Sequence, residues 1–145
     1  MTVETISRDA AHGATILAKS VEIALHAVDL SPSQYRLLMF LADAPSAATA
    51  LAARLDVTRP SLTALVDGLV ARGYVERLPD PDDRRRVTHQ ISTAGRQAVR
   101  KADKAIQERL NQIAERLSPD ERQQANVGLE LWLGAIVANR AKGSS

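Results

Sequence analysis

The chain has 145 residues, which suffices for one compact domain or for an intertwined protomer. It has no cysteine, which excludes disulfides, thiolate metal sites and cysteine-based redox sensing. A pI near 9.3 suits a nucleic-acid binder, but the formal charge is only +2, so binding must be argued from where particular arginines sit.

Residues 5–28 read as a helix whose inner stripe is Ile6, Ala10, Gly13, Ile16, Leu17, Val21, Ala24 and Val28. A stripe this rich in small residues suits close packing against another chain or a small core. Ser31-Pro32-Ser33-Gln34 is a helix start: a capping serine, proline in a first turn whose N–H has no partner, and glutamine where a capping box needs it. The helix that follows, residues 32–42, carries Tyr35, Leu38 and Leu41 as a central element and is broken by Asp43-Ala44-Pro45-Ser46.

Residues 48–55 form a short helix with Leu51 and Leu55 on one side, and Asp56-Val57 makes a tight link. In the next helix, residues 58–72, Leu62, Leu65, Val66, Leu69 and Val70 repeat at helical spacing and face inward. Thr58 is its expected N-cap and Pro60 fits its first turn, while Arg59, Ser61, Thr63 and Asp67 make a short polar outer face. Helix, tight turn, helix is the pattern in which the second helix enters the major groove. Gly73 ends that helix, residues 74–78 and 87–91 read as strands, and Pro79 to Arg86 joins them with three consecutive arginines at the tip. A hairpin placed there is a wing.

Ser92 opens a long helix to about residue 116, with Val99, Ala102, Ile106, Leu110, Ile113 and Leu117 close to a heptad seam. Ser118-Pro119-Asp120-Glu121 is a capping box for a last helix to about residue 139, with Ala125, Leu129, Trp132, Ala135 and Ile136 on its apolar side. Residues 141–145 are expected to fray. Trp132, Leu129, Ile136 and Ile113 are the expected dimer-interface residues, since aromatics are enriched at such interfaces and no core in this chain is large enough for these helices.

The run A-L-A-A-R-L-D-V-T-R-P-S-L-T-A-L-V-D-G-L-V-A-R-G-Y-V-E-R, then D-P-D-D-R-R and I-S-T-A-G-R, resembles the multiple antibiotic resistance regulator (MarR) family. The resemblance covers nearly the whole chain. It departs where Asp56 stands in place of the usual turn glycine and Ser92 in place of threonine; both substitutes serve, since Asp tolerates a left-handed turn and Ser caps a helix. The resemblance implies a fold that is mainly α with a small β wing, a winged helix-turn-helix with N- and C-terminal dimerisation helices. Residues 31–95 would be the DNA-binding region, and residues 1–30 and 96–145 the helical dimerisation region of one intertwined unit. It further implies a homodimeric regulator, a repressor by preference, on a pseudo-palindromic double-stranded DNA operator, weakened by a small aromatic or other organic acid.

Thr58, Arg59, Pro60, Ser61 and Thr63 are then the candidate DNA contacts of the helix, and Arg84, Arg85 and Arg86 those of the wing. Asp83 is expected to brace Arg84 or Arg85, because phosphate would repel it. Family likeness puts a candidate ligand pocket at the junction of the first two helices, near His26, Tyr35 and Arg36. The alternative function is a winged-helix protein-interaction module without operator specificity, against which the arginine-tipped wing argues.

Catalysis finds no support: no serine lies in a G-x-S-x-G or S-x-x-K setting, and the glycines make no phosphate loop. His12, His26 and His89 are too scattered for a metal site, so neither a metal nor a cofactor is expected. Aromatics at 3% speak against base-stacking RNA or single-strand recognition. No targeting segment is read at the N-terminus and the longest apolar run, residues 37–42, cannot span a bilayer, so a cytoplasmic location is expected.

Overall fold

Six helices and three short strands make up the computed structural model, which describes residues 5–142. They are α1 (Arg8–Ala27), α2 (Pro32–Asp43), β1 (Ser46–Ala47), α3 (Ala48–Leu55), α4 (Arg59–Ala71), β2 (Val75–Pro79), β3 (Val87–Ile91), α5 (Thr93–Ala114) and α6 (Pro119–Lys142). The chain divides into two compact units, one ending at Arg109 and one beginning at Leu110.

Helix ends in the first unit are set by local chemistry. Ser7 caps α1 by accepting from the Ala10 N–H at 3.1 Å, so the helix starts at Arg8 and not at Thr5. Ser31 and Gln34 form the capping box foreseen for α2, at 3.1 and 2.9 Å. Three helices close in the same way, each with one residue at positive φ: Asp29 after α1 (φ 58°), Asp56 after α3 (φ 54°) and Gly73 after α4 (φ 75°). In each, paired backbone bonds satisfy the last carbonyls, as with Gly73 N–H to Val70 and Tyr74 N–H to Leu69. Asp56 thus performs the left-handed turn between α3 and α4 that a glycine would otherwise make.

The core of this unit is one cluster. Leu37, Leu38 and Leu41 of α2, Leu51 of α3, and Leu62, Val66 and Leu69 of α4 are all at most 2% exposed, with Val75, Ile91, Val99 and Ala102 closing it. The stripe expected on α4 is therefore buried, with Leu65 and Val70 packed at its margin. Each fully buried leucine, isoleucine or valine of the cluster contributes on the order of 1.5–3 kcal/mol by leaving water. Of the α1 stripe only Ala24 is buried, beside Leu25, which the stripe did not include and which is fully buried, while Ile6 and Ile16 are 60% and 67% exposed.

The sheet has the order β1-β3-β2, all antiparallel. The β2–β3 pair is the expected wing, in register from Val75↔Ile91 to Pro79↔Val87. The β1 strand was not expected: at two residues it has no periodicity to read, and it exists because Ser46 and Ala47 pair with His89 and Thr88.

The second unit holds the end of α5 and all of α6. Ser118 and Glu121 form the capping box read from the sequence, at 3.2 and 2.9 Å. The last helix continues to Lys142, past the expected end near residue 139, so the fraying expected at residues 141–145 does not include Ala141 and Lys142, and 143–145 lie outside the described residues. No helix among the described residues is long and apolar enough to cross a membrane.

Candidate nucleic-acid interface

The N-terminal turn of α4 and the tip of the β2–β3 hairpin carry the candidate contacts. Thr58, Arg59, Pro60, Ser61 and Thr63 are all exposed. Thr58 Oγ1 accepts from the Ser61 N–H at 3.2 Å and donates to the Ser61 hydroxyl at 2.9 Å, which fixes the cap. Thr63 Oγ1 donates back to the Arg59 carbonyl at 3.0 Å. The Arg59 guanidinium reaches to the preceding helix, where Nη1 donates to Thr49 Oγ1 at 2.9 Å. The first-turn N–H groups and the positive end of the α4 dipole make this turn a favourable place for an anion.

The wing tip is built on two aspartates. Asp80 accepts from the backbone N–H groups of Asp82 and Asp83 at 2.8 and 3.3 Å, and its own N–H donates to the Arg86 carbonyl at 3.0 Å. Asp83 Oδ1 accepts from the Arg85 backbone N–H at 3.0 Å. The brace foreseen for Asp83 thus acts on the loop backbone and not on a guanidinium. Arg84, Arg85 and Arg86 are exposed, and among the described residues none forms an ion pair with a carboxylate.

Two ties hold the wing and α4 as one piece. Arg77 of β2 pairs with Asp67 on the exposed face of α4. Ser92 donates its hydroxyl to the Gly73 carbonyl at 2.5 Å, donates its N–H to the Tyr74 carbonyl at 3.0 Å, and accepts from the Gly95 N–H at 3.0 Å. Gly95 completes this joint: a Cβ there would lie 2.3 Å from the Tyr74 carbonyl oxygen. The Ser-x-x-Gly start of α5 is therefore a docking point for the chain leaving α4. At the same exit, Arg72 donates to the Asp29 carbonyl at 2.7 Å and lies 4.7 Å from the centre of the Tyr74 ring.

His89, one of the three scattered histidines, lies on β3 and is buried to 5% exposure in the middle of the sheet. Its Nδ1 lies 3.3 Å from the Ser46 carbonyl oxygen. Burial pushes its pKa below the usual histidine value, the Ser46 carbonyl opposes that shift, and the charges of Arg77 and Arg59 add to it. The one sequence signal was strand alternation, which puts residue 89 on the same face as Val87 and Ile91.

Of the three residues foreseen around a ligand pocket, one lines a cleft. His26 faces an open cleft of about 730 Å³ together with Lys19, Glu22, Asp29, Gln34 and Arg72. Tyr35 is not in its lining: its hydroxyl donates to Asp103 of α5, and burial first, then that carboxylate, push its pKa up. Arg36 is also outside it and reaches the Ser33 hydroxyl at 3.5 Å. In the second unit Ile113, Leu129, Trp132 and Ile136 are between 45% and 52% exposed.

The MarR family profile matches residues 28–86. The HTH-type transcriptional repressor YetL of Bacillus subtilis is 29% identical over 96 residues, 64% of this chain and 58% of that protein. The homoprotocatechuate degradative operon repressor of Escherichia coli is 30% identical over 106 residues, 72% of each chain. The chain spans about three fifths of the length of YetL and of other curated relatives that it matches. Among solved structures, wild-type MarR from E. coli in its apo form superimposes with a TM-score of 0.77 at 24% identity, covering 91% of this chain and 99% of that one. The transcriptional repressor CouR, bound to a 23-mer DNA duplex, superimposes with a TM-score of 0.72 at 25% identity, covering 88% and 92%.

Proposed function

The chain belongs to the MarR family of DNA-binding transcriptional regulators, and we propose that it acts as a cytoplasmic homodimeric repressor of a pseudo-palindromic operator. The observation that carries this reading is the division of labour at the wing tip. Asp80 and Asp83 engage backbone N–H groups, so three arginines project with no acidic partner among the described residues. Arginine is drawn to the negative potential of a narrow minor groove, and phosphate attracts it at any sequence.

The exposed turn of α4 supplies base reading. Arg59 can meet a guanine O6/N7 pair, Thr63 offers a hydroxyl or a methyl to a base edge, and Thr58 and Ser61 hold phosphate. Pro60 keeps the turn rigid. Two such helices in a dimer read half-sites about 10 base pairs apart. The half-exposed Ile113, Leu129, Trp132 and Ile136 are the surface on which a second copy closes. The names of YetL and of the homoprotocatechuate operon repressor support repression, and the CouR complex supports duplex DNA as the partner.

The effector site of this reading is the His26 cleft. It suits a small organic acid, since Lys19, Arg72 and His26 can face a carboxylate. Arg72 is the C-cap residue of α4, so an occupant that competes with Asp29 for it acts directly on the recognition helix. The test is gel retardation of the DNA upstream of the protein's own gene against excess unrelated duplex, repeated with phenolic and other aromatic acids. Retardation that survives the competitor and is relieved by one of the acids is the expected result. Equal loss to the competitor would remove operator specificity, and indifference to every acid would remove the effector.

A further inference from the structure

The first turn of α4 is fixed twice, once from within and once from outside. Thr58 with Ser61, and Thr63 with the Arg59 carbonyl, fix the backbone of the turn. Neither sets the direction of the Arg59 side chain. That direction is set by α3, whose second residue, Thr49, accepts from Nη1 at 2.9 Å. The placement agrees with the environment of His89, where the Arg59 charge is felt.

An exposed arginine at the start of a helix samples many rotamers, and ordering it on DNA reduces affinity for the base that it meets. A contact that orders it beforehand removes part of that cost. We propose that Thr49 is a positioning residue for base readout, holding the Arg59 guanidinium at the N-terminal edge of the recognition helix in the orientation used on the operator. This rests on the reading that Arg59 meets a base edge. The guanidinium has five donors in a rigid fork, and Thr49 takes one of them, which leaves the others for the two acceptors of a guanine. Thr49 sets discrimination in this scheme without touching DNA.

The substitution that isolates the hydroxyl is Thr49→Val, which keeps the branched shape and removes the acceptor; Thr49→Ser returns it. The probe is the duplex that the wild-type protein enriches from a randomised pool, together with versions in which each G·C pair of one half-site is replaced. Fluorescence anisotropy at one salt concentration then gives Kd for wild type, Arg59→Ala, Thr49→Val and Thr49→Ser on these duplexes and on a random one. At one G·C pair the wild type should lose about tenfold on replacement, and Arg59→Ala should lose almost nothing. Thr49→Val should bind the enriched duplex about two- to tenfold more weakly, with the replacement penalty reduced by the same factor. Its affinity for random DNA should stay unchanged, and Thr49→Ser should restore the penalty. A full penalty in Thr49→Val overturns the positioning role while leaving Arg59 as the reader. Equal weakening on enriched and random duplexes makes Thr49 a backbone grip and overturns it too. Equal losses for Arg59→Ala on both duplexes overturn the base-reading role of Arg59 itself, and the inference with it.

Discussion

Helices α4 and α6 carry apolar side chains at the same helical spacing and meet opposite fates. In α4, Leu62, Val66 and Leu69 are at most 2% exposed, and every one is covered by the chain that makes it. In α6, Leu129, Trp132, Leu133 and Ile136 are 46–61% exposed, with Val137 and Leu131 exposed beside them. A stripe of this kind states only that a helix is to be covered; it does not say by what. The first unit answers the question within one chain, whereas the exposed α6 side chains are the surface proposed above for a second copy.

The comparison breaks most visibly if α6 is made polar. Trp132→Asp with Ile136→Asp should abolish the dimer and give monomer or insoluble protein, while removing nothing from the α2–α4 core. Light scattering reads the mass. A soluble monomer that still binds operator at wild-type concentration would show that α6 serves some other purpose.

Two glycines sharpen it next. Gly95 lies against the Tyr74 carbonyl, so Gly95→Ala forces the joint between α4, β2 and α5 apart and should cost about 1–3 kcal/mol. Gly68, on the exposed side of α4, has no atom beyond its own stretch of helix within 4 Å of the site of an added Cβ, and Gly68→Ala should gain about 0.5–1 kcal/mol. Urea unfolding of the two variants reads the difference in sign. Equal effects would mean that the α5 joint is looser than its geometry requires.

A smaller effect is expected at the wing. Arg85→Ala should weaken operator binding and make log K less steep against log salt by about one unit, as the loss of one phosphate contact requires. Anisotropy titrations at several salt concentrations give the slope; an unchanged slope would take Arg85 out of the electrostatic contact.

The smallest effect is in pH. His89 has a folded pKa below its unfolded value near 6.5, so the unfolded chain takes up the proton first. The stability linked to neutral His89 is therefore present above about pH 6.5 and is lost as pH falls from there through the folded pKa. Wild type should lose more stability than His89→Gln between pH 7.5 and 5.5 in urea titrations. Parallel losses would assign the pH dependence to other groups.

Much of this was legible because it is local. Caps at Ser31, Thr58 and Ser118, the left-handed Asp56 and Gly73, and the α4 stripe all follow from residue type and short spacing. What was not legible depends on distant partners. The β1 strand exists through residues more than forty positions away, and the Arg59–Thr49 bond crosses from one helix to the next. Tyr35 could be placed near the α1–α2 junction by sequence, but its hydroxyl is directed to Asp103, 68 residues on, and not into the cleft with His26. Asp83 was recognisable as a brace, while its choice of a backbone N–H over a guanidinium depends on how the tip turns.

Selection of one DNA sequence over others is the property proposed for the recognition helix and wing of this chain. Its most direct test is the ratio of dissociation constants for the duplex upstream of its own gene and for a shuffled duplex of the same length and composition, at one physiological salt concentration. A ratio of about a thousand or more in favour of the upstream duplex is expected. A ratio near one, from protein shown to be dimeric in the same buffer, would contradict it.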